Sequence, residues 1–360
     1  MCSQPREGVA YFPERPLVVV RRRPVGPGRI ASVKIFSGIQ PTGEPHIGNY
    51  SGGFRQYAST QEQGDAYFCI VDLHAITVDH NAAELRDGTL DIAAMLFATG
   101  LDPERSTVFV QSHVTAHAEA AWLLGAVTPY GQLGRMTQFK EKGELQALVS
   151  SALFAYPVLM AGDILLYQTD IVQIGDDQRQ HLELCRDIAQ RFNTRYGETF
   201  TVPEGVFPEA GARIMDLQEP TKKMSKSFGT EQGKLLMLDD PDAIRRKIKR
   251  AVADSGREVR HDDSKPGVSN LIELMTVATG ETIEEIEARF DGQWYGVFKQ
   301  AVGDALVELI LPIQARYQEL RSDSTELARL LDLGADKARE ASTPTLDAIY
   351  DRMGFVGRRR

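Results

Sequence analysis

Short runs of apolar, β-prone residues alternate with amphipathic stretches over the first two thirds of the chain. The apolar runs lie at 34–37, 66–72, 107–111 and 170–174, and each is followed by helical spacing. Strands separated by helices indicate βαβ units and a parallel sheet. In such sheets ligands bind beyond the carboxyl ends of the strands. The residues at those ends are Ser37, Asp72 to His74, Gln111 and Gly175 to Gln178.

Further along, the segment 181–192 has apolar positions at helical spacing, and 213–217 is interpreted as a strand that leads into a lysine-rich loop. After Leu235 the pattern is helical throughout. The expected helices are 241–252, 268–279, 282–290, 297–320, 324–339 and 344–353. We expect Pro312 to kink or divide the longest of them.

The composition is that of an ordinary soluble protein. Of the 360 residues, 42% are apolar and 25% are charged, and the net charge of −9 argues against a non-specific nucleic-acid binder. The three cysteines form no CxxC pair, which argues against a disulfide framework or a zinc site. No apolar run reaches membrane-spanning length, so we expect a cytoplasmic protein.

One stretch has the features of a phosphate-binding turn. In FSGIQPTGEPHIGNY, residues 36–50, an apolar strand ends in a loop rich in Gly and Pro. Helical spacing then begins, which places His46 and Asn49 on one face of the first turn, where both can donate to phosphate oxygens. Gly48 leaves no side chain in the way of a flat base. A strand, turn and helix with no ligand would explain the same pattern.

A second signal, KKMSKS at 222–227, favours the functional interpretation. HIGN at 46–49 and KMSKS at 223–227 resemble the two signatures of the class I aminoacyl-tRNA synthetases. GIQPTG, MTQFKEK at 136–142, AGDILLY at 161–167 and GDDQRQHLEL at 175–184 are similar to the bacterial tryptophanyl-tRNA synthetases of that family. The resemblance covers about residues 34 to 357.

The resemblance implies an α/β fold with a Rossmann-like, doubly wound parallel-sheet catalytic domain and a C-terminal helical domain. With the pattern above, it predicts a flexible extension at 1–33, the catalytic domain at 34–220 and the KMSKS loop at 221–235. Residues 236–360 would form a helical anticodon-binding domain whose last segment packs on the catalytic domain.

The resemblance also implies two substrate sites. For ATP it implies Gln40, Pro41, Thr42, Gly48, Asn49, Gly175, Asp176, Asp177, Ile214, Lys223, Met224, Ser225, Lys226 and Ser227. Asp176 stands where the family usually has Glu. Catalytic roles, through electrostatics and position, would fall to His46, Asn49, Lys142, Lys223 and Lys226.

An acid, Asp163, stands in an otherwise apolar helix, where it costs several kcal/mol unless it has a partner. By resemblance that partner is the indole N–H of tryptophan. The same match assigns the substrate ammonium to Tyr156 and Gln178, the indole walls to Phe36, Met160, Val172 and Ile174, and a place near the pocket to His74. For the wall residues core packing is an equal alternative. The other histidines are interpreted as structural or surface residues: His80, His113, His117, His181 and His261.

The implied reaction activates L-tryptophan with ATP and Mg²⁺ and transfers it to the tRNA for tryptophan, in a homodimer with no resident metal site. Two alternatives stay open at this stage. One is a tyrosine-specific enzyme of the same fold. The other is a duplicate copy, either a binding or regulatory protein without aminoacylation or an antibiotic-insensitive second enzyme. The basic stretch 245–250 and the Arg358–Arg360 tail are candidates for contact with RNA phosphates.

Overall fold

A computed structural model describes the backbone of most of the chain. The described residues are 32–144, 149–175, 178–207, 214–225 and 229–357, and the side chains of 141–144 are excepted. The predicted extension at 1–33 and the Arg358–Arg360 tail therefore lie almost wholly outside the described residues.

Five parallel strands form one sheet in the order β3-β2-β1-β4-β5. The strands are β1 (Lys34–Ile39), β2 (Asp65–Ile70), β3 (Ser106–Val110), β4 (Ile171–Gln173) and β5 (Glu204–Val206). In the register, Phe36 of β1 lies opposite Tyr67 of β2 on one side and Val172 of β4 on the other. The chain order reverses between β1 and β4, so a crevice opens beyond their carboxyl ends. The predicted α/β class is confirmed.

Four of the strands agree with the sequence prediction, and the fifth does not. The prediction of a strand at 213–217 is wrong, because the described part of that segment has only one isolated antiparallel bridge, between Met215 and Lys223. The fifth strand is β5, whose three residues carry no alternating pattern. Its backbone is held by pairing with β4 rather than by the sequence of its own side chains.

Helices cover both faces of the sheet. The helical segments are α1 (Ile47–Asn49), a π-helical turn (Tyr50–Phe54), α2 (Arg55–Thr60), α3 (Asp72–Ala75), α4 (Ala82–Ala98), a 3₁₀ turn (Gln111–His113), α5 (Ala116–Gly125), α6 (Tyr130–Leu133), α7 (Thr137–Glu144), α8 (Ser151–Leu165) and α9 (Arg179–Tyr196). The predicted core-facing helix at 181–192 is confirmed within α9, where all its apolar positions are buried.

After a 3₁₀ turn (Glu231–Gly233), five helices complete the described chain. They are α10 (Pro241–Arg250), α11 (Pro266–Thr279), α12 (Ile283–Arg289), α13 (Tyr295–Ser322) and α14 (Ser324–Arg352). Pro312 was expected to kink or divide this helix, and it does not divide it, because α13 continues through that position.

The predicted break between 339 and 344 is also wrong, because α14 continues through Pro344. Just before that proline the hydroxyl groups of Ser342 and Thr343 donate to the carbonyl of Arg339. The hydrogen bond that a proline at 344 cannot donate is the one to the carbonyl of Glu340, and the helix tolerates its loss.

Two hydrophobic cores flank the sheet. One joins α4 and the outer face of β2 to the helices α10 to α13, and the other packs α5, α8 and α9 on the opposite face. Helix α14 contributes to both, since Leu327 lies in the first core and Ala338 in the second. At Gly334 it touches β3 so closely that a Cβ atom would lie 1.8 Å from the carbonyl oxygen of Val108. In the part of the chain that the structure describes, no helix is both long and apolar enough to cross a membrane.

Candidate active site

A cavity of about 350 Å³ opens beyond the carboxyl ends of β1 and β4. This is the crevice expected for a doubly wound sheet, and the volume is within the range of small-molecule sites. Its lining residues are Phe36, Gly38, Gln40, Val71, His74, Thr77, Gln138, Tyr156, Met160, Asp163, Ile164, Val172, Ile174 and Gln178.

The structure brings all eight residues of the predicted tryptophan site to this one cavity. Strand β1 supplies Phe36 and β4 supplies Val172. Helix α8 presents Tyr156, Met160 and Asp163, whose spacing of four and three residues places them on a single face.

Asp163 is the most buried polar group of the cavity, with 1% of its surface exposed. Its Oδ1 accepts hydrogen bonds from Nε2 of Gln111 at 2.6 Å and from Nδ1 of His117 at 2.6 Å. Its Oδ2 accepts one from Nε2 of His74 at 2.8 Å. The amide of Gln111 is itself oriented by the backbone N–H of Leu73. These three hydrogen bonds therefore offset the free-energy cost of burying the carboxylate, and no ligand is needed for that.

These hydrogen bonds keep Asp163 ionised. Burial alone raises the pKa of its carboxyl group, but the hydrogen bonds from His117 and His74 outweigh burial and bring the pKa to about 2. Because a carboxylate oxygen accepts about two hydrogen bonds, Oδ1 is saturated. Among the described residues Oδ2 has a single donor, so it can accept one more from a molecule in the cavity.

The other polar edge of the cavity is built around the Tyr156 hydroxyl. It donates to Oε1 of Gln138 at 3.2 Å and lies 2.6 Å from Nε2 of His181, which is 1% exposed. The rings of Tyr156 and His181 pack at 5.2 Å. This end of the cavity offers amide and phenol oxygens, which suit a cationic donor such as an ammonium group.

The predicted phosphate turn forms a capped helix start. His46, which is 3% exposed, is the N-cap of α1, and its Nδ1 accepts from the backbone N–H of Gly48 at 3.1 Å. A neutral imidazole that accepts at Nδ1 carries its proton on Nε2. The Oδ1 of Asn49 accepts from the backbone N–H of His46 at 3.0 Å, which leaves its Nδ2 as the donor group. Both side chains thus carry an N–H group close to the helix N-terminus.

Gly48 is required by this arrangement. A Cβ atom there would lie 2.9 Å from the imidazole of His46 and 3.7 Å from Cβ of Ile214. The first distance is shorter than real side chains allow, so the imidazole itself excludes a larger residue. The sequence prediction explained Gly48 by the space that a flat base needs. The contact with His46 is a second, steric reason for a glycine at this position.

Backbone hydrogen bonds fasten the turn to the segment that follows the lysine loop. The N–H of Ile47 donates to the carbonyl of Leu235 at 2.9 Å, and the N–H of Met237 donates to the carbonyl of Pro45 at 2.8 Å. The two signatures are therefore neighbours in space although they are far apart in sequence.

The lysine loop begins on a short backbone ladder. The N–H of Asp216 donates to the carbonyl of Lys222, and the N–H of Met224 donates to that of Ile214. Met224 and Ile214 are buried, whereas Lys223 is exposed. Lys222 forms an ion pair with Glu219 at 2.5 Å, and this pairing raises the pKa of its ammonium group.

The remaining predicted ATP residues are distributed less simply. Gln40 lines the cavity described above, whereas Pro41 and Thr42 line a second one of about 410 Å³. Gly175 is exposed at the end of β4. Several predictions lie outside the described residues or side chains: Lys142, Asp176, Asp177, Lys226 and Ser227.

Three residues that hydrogen-bond to predicted site residues have no such assignment from the sequence, namely Gln138, His117 and His181, and Gln111 is predicted only as a residue at a strand end. The interpretation of His117 and His181 as structural residues agrees with their burial, but it does not include their hydrogen bonds to Asp163 and Tyr156. A signal existed for His117, which shares the core-facing stripe of α5 with Ala120 and Leu124. A buried histidine facing a buried acid on another apolar helix is a polar pair.

The chain matches the family model described as tRNA synthetases class I (W and Y) over residues 30–310. A tryptophan–tRNA ligase of Caldanaerobacter subterraneus subsp. tengcongensis is 48% identical over 324 residues, which are 90% of this chain and 98% of the relative. One from Oceanobacillus iheyensis is 50% identical over 322 residues, 89% of this chain and 98% of the relative.

Solved structures agree. The tryptophanyl-tRNA synthetase of Mycoplasma pneumoniae superposes with a TM-score of 0.82 at 34% identity, covering 90% of this chain and 98% of the other. The Campylobacter jejuni enzyme, solved in complex with ADP and tryptophan, gives a TM-score of 0.79 at 33% identity, covering 90% of this chain and all of the other.

Proposed function

The chain belongs to the class I tRNA synthetases of the tryptophan and tyrosine group, and from that premise we propose that it is a tryptophan–tRNA ligase. L-tryptophan reacts with ATP to give tryptophanyl-adenylate and pyrophosphate. The aminoacyl group then passes to the terminal ribose of the tRNA for tryptophan, with release of AMP. The observation that carries this proposal is the aromatic-walled cavity that holds one buried, ionised acceptor, Asp163.

In the proposed complex the indole lies between Phe36, Met160, Val172 and Ile174. Its N–H donates to the open position on Oδ2 of Asp163, beside the hydrogen bond from His74. The ammonium group lies at the opposite, oxygen-rich edge, against Tyr156 and Gln178, and we add Gln138 to this set because it hydrogen-bonds to Tyr156. A phenyl side chain has no donor for Asp163 and leaves that acceptor unpaired. The phenol of tyrosine does have a donor, but its ring is smaller than an indole and fills less of the cavity.

The triphosphate is proposed to lie at the start of α1. Nε2 of His46 and Nδ2 of Asn49 donate to its oxygens, Ile214 packs against the adenosine next to Gly48, and Gly175 allows the nucleotide to approach β4. The sequence resemblance adds further ATP contacts. They are Gln40, Pro41, Thr42, Lys223, Met224 and Ser225, together with Asp176, Asp177, Lys226 and Ser227, which lie outside the described residues.

Magnesium enters this proposal as part of the substrate, bound to the phosphate oxygens of ATP. Within the described ranges no group of three or more His, Cys, Asp or Glu side chains is arranged to hold a metal by itself. The ion would neutralise phosphate charge, while the residues of this chain position the two substrates.

The activation step forms a bond between a tryptophan carboxylate oxygen and the α-phosphorus of ATP and breaks the bond from that phosphorus to the bridging oxygen. The carboxylate already carries the electron pair, so no general base is needed. Negative charge grows on the departing pyrophosphate. By the resemblance of the two signatures, Lys223, Lys226 and His46 would stabilise that charge.

The tRNA is proposed to contact the exposed face of α10. Arg246, Lys249 and Arg250 are exposed there, and among the described residues none of the three has an ion-pair partner. Gln218, which precedes the lysine loop, donates to the carbonyl of Arg250, so this basic face adjoins the loop. Unpaired cations beside the reaction centre suit an RNA backbone.

We propose that the enzyme is a homodimer through the aromatic surface of α5 to α8. Trp122 is 85% exposed and Tyr130 is 79% exposed, and the ring of Phe154 packs between Tyr130 and Phe139. Large exposed aromatic side chains are typical of interfaces. Sedimentation of a Trp122→Glu variant should show monomer where the unmodified protein shows dimer, and a monomeric unmodified protein would refute the proposal.

Transfer to RNA is the direct test of the whole function. Purified protein is mixed with ATP, Mg²⁺, bacterial tRNA and radiolabelled tryptophan, tyrosine or phenylalanine, and label in acid-precipitable tRNA is counted. We expect charging with tryptophan only. Charging with tyrosine would show that the chain is a tyrosine-specific enzyme of the same fold. No charging by folded protein would indicate a duplicate that has lost aminoacylation.

The cytoplasmic setting stays a prediction from the sequence. It accords with Cys69 and Cys185, which are free and buried, since burial raises the pKa of both thiols and keeps them unreactive.

A further inference from the structure

Behind the cavity, two buried residues continue the hydrogen bonding of Asp163 away from the substrate. His117, which is fully buried, donates from Nδ1 to Asp163 and has the hydroxyl of Tyr167 at 2.9 Å from its Nε2. Tyr167 is also fully buried. Among the described residues His117 is the only hydrogen-bond partner of that hydroxyl. Neither residue touches the cavity.

The carboxylate fixes the direction of the first hydrogen bond, and the neutral form of His117 fixes the direction of the second. A carboxylate only accepts, so Nδ1 of His117 must carry a proton. In a neutral imidazole Nε2 is then an acceptor, and the Tyr167 hydroxyl donates to it. Burial raises the pKa of that hydroxyl well above its usual value, so the proton that it donates is retained.

We propose that Tyr167 and His117 are positioning residues that set the choice of amino acid through Asp163. We call Tyr167, His117 and Asp163 the Asp163 relay. The relay holds His117 in the tautomer that saturates Oδ1, which fixes the carboxylate and turns the open position of Oδ2 toward the cavity. The inference rests on the proposed function and deepens it.

The surroundings of Tyr167 explain how the hydroxyl is held in place. Its ring stacks on Tyr67 at 4.6 Å and on Phe36 at 5.8 Å, and Phe36 is a wall of the cavity. The ring of His117 packs against Phe109 at 5.7 Å. Packed rings of this kind allow little rotation, so the donors behind Asp163 are fixed before a substrate enters.

Removing the relay should weaken recognition of the indole N–H without removing the shape of the cavity. In Tyr167→Phe the imidazole loses the donor that selects its tautomer, and its Nε2 is left buried and unpaired. If the tautomer changes, Nδ1 can no longer donate to Asp163. The carboxylate then turns, and its acceptor no longer faces the substrate.

The test compares tryptophan with an analogue of the same shape whose indole nitrogen is replaced by sulfur, 3-benzothienylalanine, which has no N–H. The assay is amino-acid-dependent exchange of pyrophosphate into ATP, without tRNA. For the unmodified protein kcat/KM should strongly favour tryptophan. In Tyr167→Phe that preference should fall about fivefold to tenfold, the value of one buried hydrogen bond. The loss should lie in the KM for tryptophan, since the contact is made equally in the ground and transition states.

Variants at His117 separate the relay from packing. In His117→Asn the amide Nδ2 stands near the place of the imidazole Nδ1 and can still donate to Asp163, so part of the preference should return. His117→Leu fills the space without a donor and should show the lowest preference. Tyr67→Phe is the matched control, because it removes a hydroxyl from the ring stacked on Tyr167 but leaves the relay intact.

A thermal unfolding curve for each variant shows that it is folded. An unchanged preference in Tyr167→Phe, an equal loss for both amino acids, or the same effect in Tyr67→Phe would overturn the relay. If the unmodified protein supports no exchange with tryptophan, the proposed function itself fails, which is a different result from exchange with an unchanged preference.

Discussion

The cavity and the phosphate turn lie on one sheet edge, but their polar groups are prepared in opposite ways. In the cavity, Asp163 already has three donors, and two of them come from histidines that are almost fully buried. At the turn and the lysine loop, Nδ2 of the half-buried Asn49 is a donor group and the side chain of Lys223 is exposed. The first region is preorganised to choose a substrate, and the second to receive charge that appears only during reaction.

This contrast should appear in kinetics. Substitutions in the cavity should change which amino acid is used and at what concentration. Substitutions in the lysine loop should change how fast any bound amino acid reacts.

The largest expected effect is in the lysine loop. Lys226→Ala should lower kcat for activation by about 10²–10³, the usual loss for one transition-state donor, with little change in the KM for tryptophan. Lys222→Ala is the matched control in the same loop, since Lys222 is paired with Glu219 and exposed. Pre-steady-state formation of the adenylate measures both. A KM rise equal to the loss of kcat would show that the loop binds substrate rather than the transition state.

A second expected effect concerns the stability of the cavity at low pH. The folded pKa of Asp163 is about 2, below the ordinary value of 3.8. Its ionised form therefore stabilises the fold fully above about pH 4, and that contribution, about 2 kcal/mol, is lost as pH falls through about 2.

Urea unfolding of the unmodified protein and of Asp163→Asn at pH 5, 4, 3 and 2 measures this contribution. The difference in free energy of unfolding between the two proteins should shrink by about 2 kcal/mol over the range. A constant difference would mean that Asp163 is not held ionised by its histidine partners.

The smallest expected effect concerns contact with the body of the tRNA, outside both regions. Arg246→Glu, on the exposed face of α10, should raise the KM for tRNA by about threefold to tenfold and lower the salt dependence of charging by about one phosphate contact. Tryptophan activation without tRNA should be unchanged. Arg329→Glu is the control, because Arg329 is exposed on α14 in an ion pair with Glu326. Equal effects at both positions would place the RNA elsewhere.

The fold could be predicted where local pattern and tertiary packing agree. Long apolar runs gave β1 to β4, and helical spacing gave α9 and the C-terminal helices. Strand β5 was missed because three residues around Gly205 have no pattern of their own and depend on pairing with β4. Pro312 was expected to kink or divide its helix, and the pattern predicted a break between 339 and 344, but α13 and α14 continue through both positions.

In the candidate site, the residues that could be predicted are those that match the sequence motifs of the family. All eight residues assigned by resemblance to tryptophan line one cavity. The residues behind them could not be found this way, because His117 and Tyr167 act through Asp163 and only the three-dimensional packing brings them within hydrogen-bond distance. Gln138 lies inside the MTQFKEK motif, in which the resemblance assigns a role only to Lys142.

The central claim is that this cavity selects tryptophan for activation at the neighbouring phosphate turn. Exchange of radiolabelled pyrophosphate into ATP, without tRNA, tests it for tryptophan, tyrosine and phenylalanine in parallel. We predict exchange with tryptophan alone. Exchange with tyrosine at a comparable kcat/KM, or no exchange with any of the three from folded protein and Mg²⁺, would contradict the account.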